Sequence, residues 1–136
     1  LRVLARVRHQ VREFFNHGRM LAPPALEGND TTVTADWQRR KPGDMMVTTP
    51  AVLATTWQVA DGRVMIPLVN CSGEAQTFTV RLDASAAGWD PGATVKISKV
   101  TSDGLEEIAT AGGNVAHNIT LSSFESCALV LSFEGG

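Results

Sequence analysis

The sequence is short of cysteine, of charge and of long apolar runs, and each shortage excludes a class of protein. Two cysteines, Cys71 and Cys127, are too few for a disulfide scaffold or a cysteine-based zinc site. No apolar run approaches the roughly 20 residues of a membrane-spanning helix, and no signal peptide is recognisable. A net charge of −2 argues against nucleic acid as a partner. What remains is a chain of 136 residues, 43% of them hydrophobic, enough for one domain with its own core.

The first 17 residues have the spacing of an amphipathic helix, and Gly18 is a plausible C-terminal cap. Five apolar side chains share one face: Leu4, Val7, Val11, Phe14 and Phe15. Residues 1–19 hold five basic and one acidic side chain, a net charge of +4. Such a helix could bind anionic lipid or an acidic partner, or its apolar face could pack on a preceding domain. We favour the second, because the sequence opens at Leu1 inside the helical pattern with no N-cap before it. Residues 1–20 are then the remnant of that domain and its interface with the rest of the chain.

Residues 21–30 are predicted to be a linker, and residues 31–136 a β domain. Pro23 and Pro24 fix their own φ angles and bias their predecessors away from helix. Beyond them the apolar period changes from 3.6 to 2, and turn signals recur about every ten residues. We therefore expect a mainly β fold, an antiparallel β-sandwich of about eight strands preceded by one N-terminal amphipathic helix.

The clearest local pattern is a hairpin. Segments 51–59 and 63–70 flank Asp61-Gly62, a dipeptide that favours a type I′ turn. Apolar residues stand on both sides of these strands, which predicts that both faces are covered over part of their length. Pro67 cannot donate a ladder hydrogen bond, so it predicts an edge position or a bulge. Further along, Phe78, Val80 and Leu82 alternate with polar residues and should point inward.

No arrangement of residues predicts an active site. His9 and His17 are too far apart along a helix to share a metal, and His117 is most simply a paired interior or border side chain. The acidic residues stand singly or, as in Glu106-Glu107, face opposite ways on a strand. Glycine-rich phosphate loops are absent. We therefore assign no catalytic residue, no metal and no cofactor.

The tryptophans suggest one possible ligand, because flat apolar rings stack well on sugars. Trp57 is in phase with the apolar side chains of its strand and should lie in the core. Trp37 borders a basic turn and Trp89 stands in a loop, so these two are the candidate carbohydrate-binding residues. A tryptophan in such a position more often caps the edge of a sandwich than binds a ligand.

Three asparagines begin N-glycosylation sequons: Asn29, Asn70 and Asn118. Three sequons from five asparagines are more than expected. The chain is rich in serine and threonine, however, so the pattern arises easily. In a bacterial protein the sequon pattern would not indicate glycosylation.

The closing segment, Leu121 to Leu131, is similar to the final strand of the β-sandwich domains that trail many barrel glycosidases. Four further segments together resemble the end of an uncharacterised family of glycoside-hydrolase-like (β/α)₈-barrel proteins. They are Val11 to Pro24, Thr49 to Trp57, Asp61-Gly62 and Leu68 to Ser72. In that family the last barrel helix passes into a C-terminal all-β domain. The likeness covers most of the chain, but its motifs are structural: a helix exit, a hairpin and a last strand. No catalytic position of the family maps onto this sequence.

The resemblance implies a non-catalytic accessory domain that packs against an upstream catalytic barrel and stabilises it. The parent protein would be a glycoside hydrolase, secreted or periplasmic if it degrades polysaccharides. One alternative is a carbohydrate-binding module that uses Trp37 and Trp89. Another is a structural domain that self-associates through its N-terminal helix.

Overall fold

The computed structural model describes residues 8–36, 46–101 and 103–133 of the chain. Within these ranges two short helices are present, α1 (Arg12–His17) and α2 (Ala84–Ala87), and residues 8–10 are also helical. Twelve strands make up most of the rest: β1 Arg19–Leu21, β2 Ala25–Glu27, β3 Thr32–Asp36, β4 Met46–Pro50, β5 Val52–Ala54, β6 Thr56–Gln58, β7 Val64–Asn70, β8 Gln76–Leu82, β9 Thr94–Thr101, β10 Gly104–Gly112, β11 Val115–Leu121 and β12 Ser126–Phe133.

The strands form three antiparallel sheets, so the predicted mainly β, antiparallel class is confirmed. The largest has seven strands in the order β1-β6-β7-β12-β9-β10, with β5 also paired to β7. A second has the order β11-β8-β2, and β3 pairs with β4. More strands are present than the eight expected, because several are only three residues long.

The seven-stranded and three-stranded sheets share one apolar core. As predicted, Phe78, Val80 and Leu82 of β8 are buried, and they pack in one cluster with Ile66 of β7 and Leu129 of β12. Alternation places these side chains on a single face of each strand, which we call the inner face of each sheet. This inner face holds most of the buried apolar side chains.

The opposite, outer face of the seven-stranded sheet is covered in its middle by α1. Val11 and Phe14 of the helical segment are each only 2% exposed. They pack on Met65 of β7, Val100 of β9 and Val130 of β12. The expectation that the hairpin strand is covered on both faces is therefore confirmed for β7, whose first three residues are all buried.

The N-terminal helix differs from the single one expected. Of the predicted interface residues, Leu4 and Val7 lie outside the described residues. In residues 8–17 the helix is broken at Val11, where φ is −110° and ψ is 13°. The two helical pieces are short, and the apolar face packs on the chain's own sheet.

The hairpin turn is where it was expected but is of another type. A type I′ turn needs positive φ at both central residues. Here Gly62 has φ of 95°, whereas Asp61 is not among the positive-φ residues. The Gly62 amide donates to the Val59 carbonyl and the Val59 amide to the Arg63 carbonyl, which closes a three-residue loop. Its geometry is that of a turn followed by a left-handed glycine.

Pro67 does not lie at an edge, because β7 has neighbours on both sides. On one side Pro67 pairs with Ala128 of β12. On the other, the register places it opposite Thr55, the residue between β5 and β6. The missing N–H therefore coincides with a gap in the ladder, and the predicted strand 51–59 is split in two.

The predicted linker also contributes to the sheets. β1 ends at Leu21 and pairs with β6, and β2 pairs with β8. Within the same segment, the side-chain amide of Asn29 exchanges hydrogen bonds with the backbone of Val52. Residues 19–29 therefore connect the two large sheets.

Candidate functional site

An apolar groove of about 420 Å³ lies on the outer face, between the helical segment and the β7–β12 pair. We call it the helix groove. Most of its wall is apolar. Among the described residues, the polar side chains that line it are Arg8 and Ser126, besides the thiol-bearing Cys127. The remaining lining residues include Val11, Phe15, Pro67, Val69 and Ala128. A groove of this kind can cover apolar side chains but offers few hydrogen bonds.

Apolar side chains remain exposed along this groove. Phe15 is 37% exposed and Val69 is 38% exposed. Leu53 is directly opposite Val69 in the β5–β7 register and is exposed as well. The Phe15 ring is held edge-on to Trp57, with 5.1 Å between centroids. Because partly exposed apolar residues that lie together mark interaction surfaces, this is the strongest candidate site in the described ranges.

An ion-pair cluster holds α1 in place beside the groove. Arg63, just after the hairpin turn, donates from Nη1 and Nη2 to the two carboxylate oxygens of Glu13, at 2.9 and 3.1 Å. Its Nε also donates to Asp61 at 2.8 Å, and its guanidinium lies 5.5 Å from the centre of the Phe14 ring. Sequence reasoning missed this cluster, since Glu13 and Arg63 are 50 positions apart and neither belongs to a motif.

The same cluster shifts two pKa values. The hydrogen bond to Glu13 raises the pKa of Arg63, so its charge is permanent. The backbone amide of Arg63 donates to the Asp61 carboxylate and lowers the pKa of that group. Both effects favour the charged forms at neutral pH, which keeps the helix attached.

Trp89 lies in the core and not on the surface. Its side chain is 6% exposed, its Nε1 donates to the Gly62 carbonyl at 2.9 Å, and its ring packs edge-on against Phe133. The expected surface position is therefore wrong, and no ring face is open for stacking on a sugar. The reason is the hairpin loop, whose Gly62 carbonyl accepts the indole N–H of the buried ring. Trp37, the other candidate, lies outside the described residues.

A second, more polar hollow of about 560 Å³ lies where α1, the hairpin loop and the end of α2 meet. His17, Arg19 and Gln58 supply its polar side chains. Gln58 is buried, and its amide nitrogen already donates to the carbonyls of Gly62 and Ala87. The described lining has no tryptophan, no phenylalanine and no carboxylate. It therefore lacks both the indole ring best suited to stacking on a sugar and the pair of carboxylates that a glycosidase uses.

The three sequon asparagines have different surroundings. Asn70 is fully buried, and its amide nitrogen contacts the carbonyls of Glu74, Leu121 and Ser122. Asn29 is tied to β5, as described above. Asn118 is exposed on β11 and makes one side-chain contact, to Thr79 at 3.3 Å. The buried asparagine thus has a structural role, joining two loops.

The remaining titratable groups do not assemble into a reactive centre. Cys71 and Cys127 are both free thiols. Burial raises the pKa of Cys127 to about 11 and lowers the pKa of the half-buried His117. Over residues 8–36, 46–101 and 103–133, no group of three or more possible metal ligands is found. In the same ranges, no helix is long and apolar enough to cross a membrane.

A scan against protein-family models finds no match for this chain, and a search of the curated proteins finds no similar one. The likeness to the barrel family therefore rests on its motifs alone. What the helix groove does must be inferred from its shape and chemistry.

Proposed function

We propose that this chain is a non-catalytic accessory domain of a glycoside hydrolase, which packs against the upstream catalytic barrel and stabilises it. The helix groove is the observation that carries the proposal. It is apolar, it is open, and it lies beside the helical segment through which the chain would leave a preceding domain. Covering its exposed phenylalanine and valine with protein would remove apolar surface from water, which favours docking.

We assign the fold as a β-sandwich on the basis of the shared core. The inner faces of the seven-stranded and three-stranded sheets contribute to one apolar cluster, as the two layers of a sandwich do. A domain of this kind is stable through its own core. Its outer face can then be used for docking without disturbing the core.

Protein suits the helix groove better than sugar does. Sugars carry many hydroxyl groups, and a site that removes them from water must offer hydrogen-bond partners. In the groove such partners are few, and Trp89 is not on the surface. The carbohydrate-binding alternative thus depends on Trp37, outside the described residues, and has less support.

The test uses the complete protein encoded by the gene and the 136-residue chain expressed alone. Val69→Asp places a charge in the groove, and Leu105→Asp is the matched control. Leu105 is 56% exposed on the edge strand β10 and does not line the groove. In the complete protein we expect Val69→Asp to lower the midpoint of barrel unfolding by about 3–6 °C, and Leu105→Asp by about 1 °C. Calorimetry measures both values.

In the chain expressed alone the two variants should have similar midpoints, because both side chains are partly exposed. Equal effects in the complete protein would contradict docking through the groove. A dimer of the isolated chain that Val69→Asp dissociates would favour self-association in place of the accessory role.

A further inference from the structure

We infer that the surface docking in the helix groove is an apolar protein surface that carries a carboxylate facing Arg8. This inference rests on the proposed function, because it specifies the chemistry of the partner at the same site. It concerns Arg8, the one charged side chain among the described residues that line the groove, to which the proposed function assigns no role.

The described helical segment beside the groove carries more positive than negative charge. Arg8 is exposed at the edge of the groove, and Arg12, also exposed, follows one turn later. Glu13 is the acidic residue of this helical segment, but Arg63 binds both of its carboxylate oxygens. Glu13 is also not part of the groove lining. The neighbourhood of the groove therefore attracts negative charge.

Docking would cost free energy at the Arg8 guanidinium unless the partner supplies an opposite charge. A protein surface that fills the groove would remove water from the Arg8 guanidinium, and an unpaired charge in such a place is costly. A carboxylate compensates for the lost water and can accept two parallel hydrogen bonds from a guanidinium. The partner must therefore combine apolar side chains with an aspartate or glutamate.

An anionic lipid surface could pair with Arg8, but it does not fit the concave shape of the helix groove. Val11 and Phe14, the apolar side of the helical segment, are buried against the sheet and cannot enter a bilayer. Membrane-bound amphipathic helices bury that very side in lipid. The remaining apolar surface is concave, and it suits protruding side chains of a protein.

Charge reversal in the complete protein tests the inference. Arg8→Glu should lower the midpoint of barrel unfolding at least twice as much as Arg12→Glu, its matched control on the same helical segment. Arg12 contacts His9 and does not line the groove. Arg8→Lys keeps the charge but not the paired hydrogen bonds, so its midpoint should lie between those of wild type and Arg8→Glu. Added salt should reduce the difference in midpoint between wild type and Arg8→Glu.

Equal effects of Arg8→Glu and Arg12→Glu would overturn the inference. If Val69→Asp still uncouples the barrel in that case, the proposed function stands without it. If neither Val69→Asp nor Arg8→Glu has an effect, the proposed function falls as well. Sedimentation with phosphatidylserine vesicles that Arg8→Glu abolishes would also overturn the inference, in favour of a membrane.

Discussion

The two faces of the seven-stranded sheet are covered in different ways. The inner face contributes to the apolar cluster that also contains residues of the three-stranded sheet, and side chains such as Ile66 and Leu129 have almost no contact with water. On the outer face, within the described part of the chain, the short helical segment covers the middle, and Phe15 and Val69 stay partly exposed. The difference separates two tasks. The inner face stabilises the fold, and the outer face remains available for a partner.

Phe78→Ala should disrupt packing on the inner face and cause the largest loss in the free energy of unfolding. Phe78 is 2% exposed and belongs to the larger apolar cluster, so its removal leaves a cavity in the main core. We expect a loss of about 3–5 kcal/mol in the free energy of unfolding, measured in urea. Phe124→Ala is the control, since that ring is 69% exposed, and it should change stability by less than about 0.5 kcal/mol. Similar losses for the two would mean that the inner face is not the main core.

Phe14→Ala and Phe15→Ala compare a covered position with an open position on the outer face. Phe14 packs under the helix on β7, β9 and β12, whereas Phe15 borders the open groove. We expect urea unfolding to show a loss of about 3 kcal/mol for Phe14→Ala and about 1 kcal/mol for Phe15→Ala. Equal losses would contradict a groove that is open on its Phe15 side.

High pH should weaken the inner face slightly through Cys127. Burial raises the pKa of this thiol from 9.0 to about 11, so folding favours the neutral form. The resulting stability is fully present below pH 9 and is lost as the pH rises towards 11. At pH 10 the loss attributable to this group is about 1 kcal/mol.

Urea unfolding of wild type and Cys127→Ala at pH 8 and pH 10 measures the stability that the Cys127 thiol loses at high pH. The variant should lose less stability than wild type between the two pH values, and Cys71→Ala should behave as wild type. A Cys127 thiol that reacts with a disulfide reagent at pH 8 as fast as Cys71 would show that it is not buried.

Sequence reasoning succeeded where a single strand carries the signal. The alternation at Phe78, Val80 and Leu82 identified the inner face of β8, and Asp61-Gly62 located the hairpin loop. It failed where distant segments decide the outcome. The loop type depends on Gly62 alone having positive φ, and Trp89 is buried because the carbonyl of that distant loop accepts its N–H.

The helix groove could not be predicted for the same reason. The helical periodicity identified Phe14 and Phe15 as apolar, but a period alone does not say which of two neighbours is covered. That depends on the position of α1 over the sheet, which the contact between Glu13 and Arg63 helps to fix. Burial of Phe14 and exposure of Phe15 are properties of the packed structure.

Hydroxyl-radical footprinting of side chains is the most direct test of the outer face as a docking surface. Phe15 and Val69 should be oxidised readily in the 136-residue chain alone and several times more slowly in the complete protein. Leu105, exposed on the edge strand β10 and not part of the groove lining, should be oxidised equally in both and serves as the reference. Unchanged oxidation of Phe15 and Val69 in the complete protein would contradict the accessory role proposed for this domain.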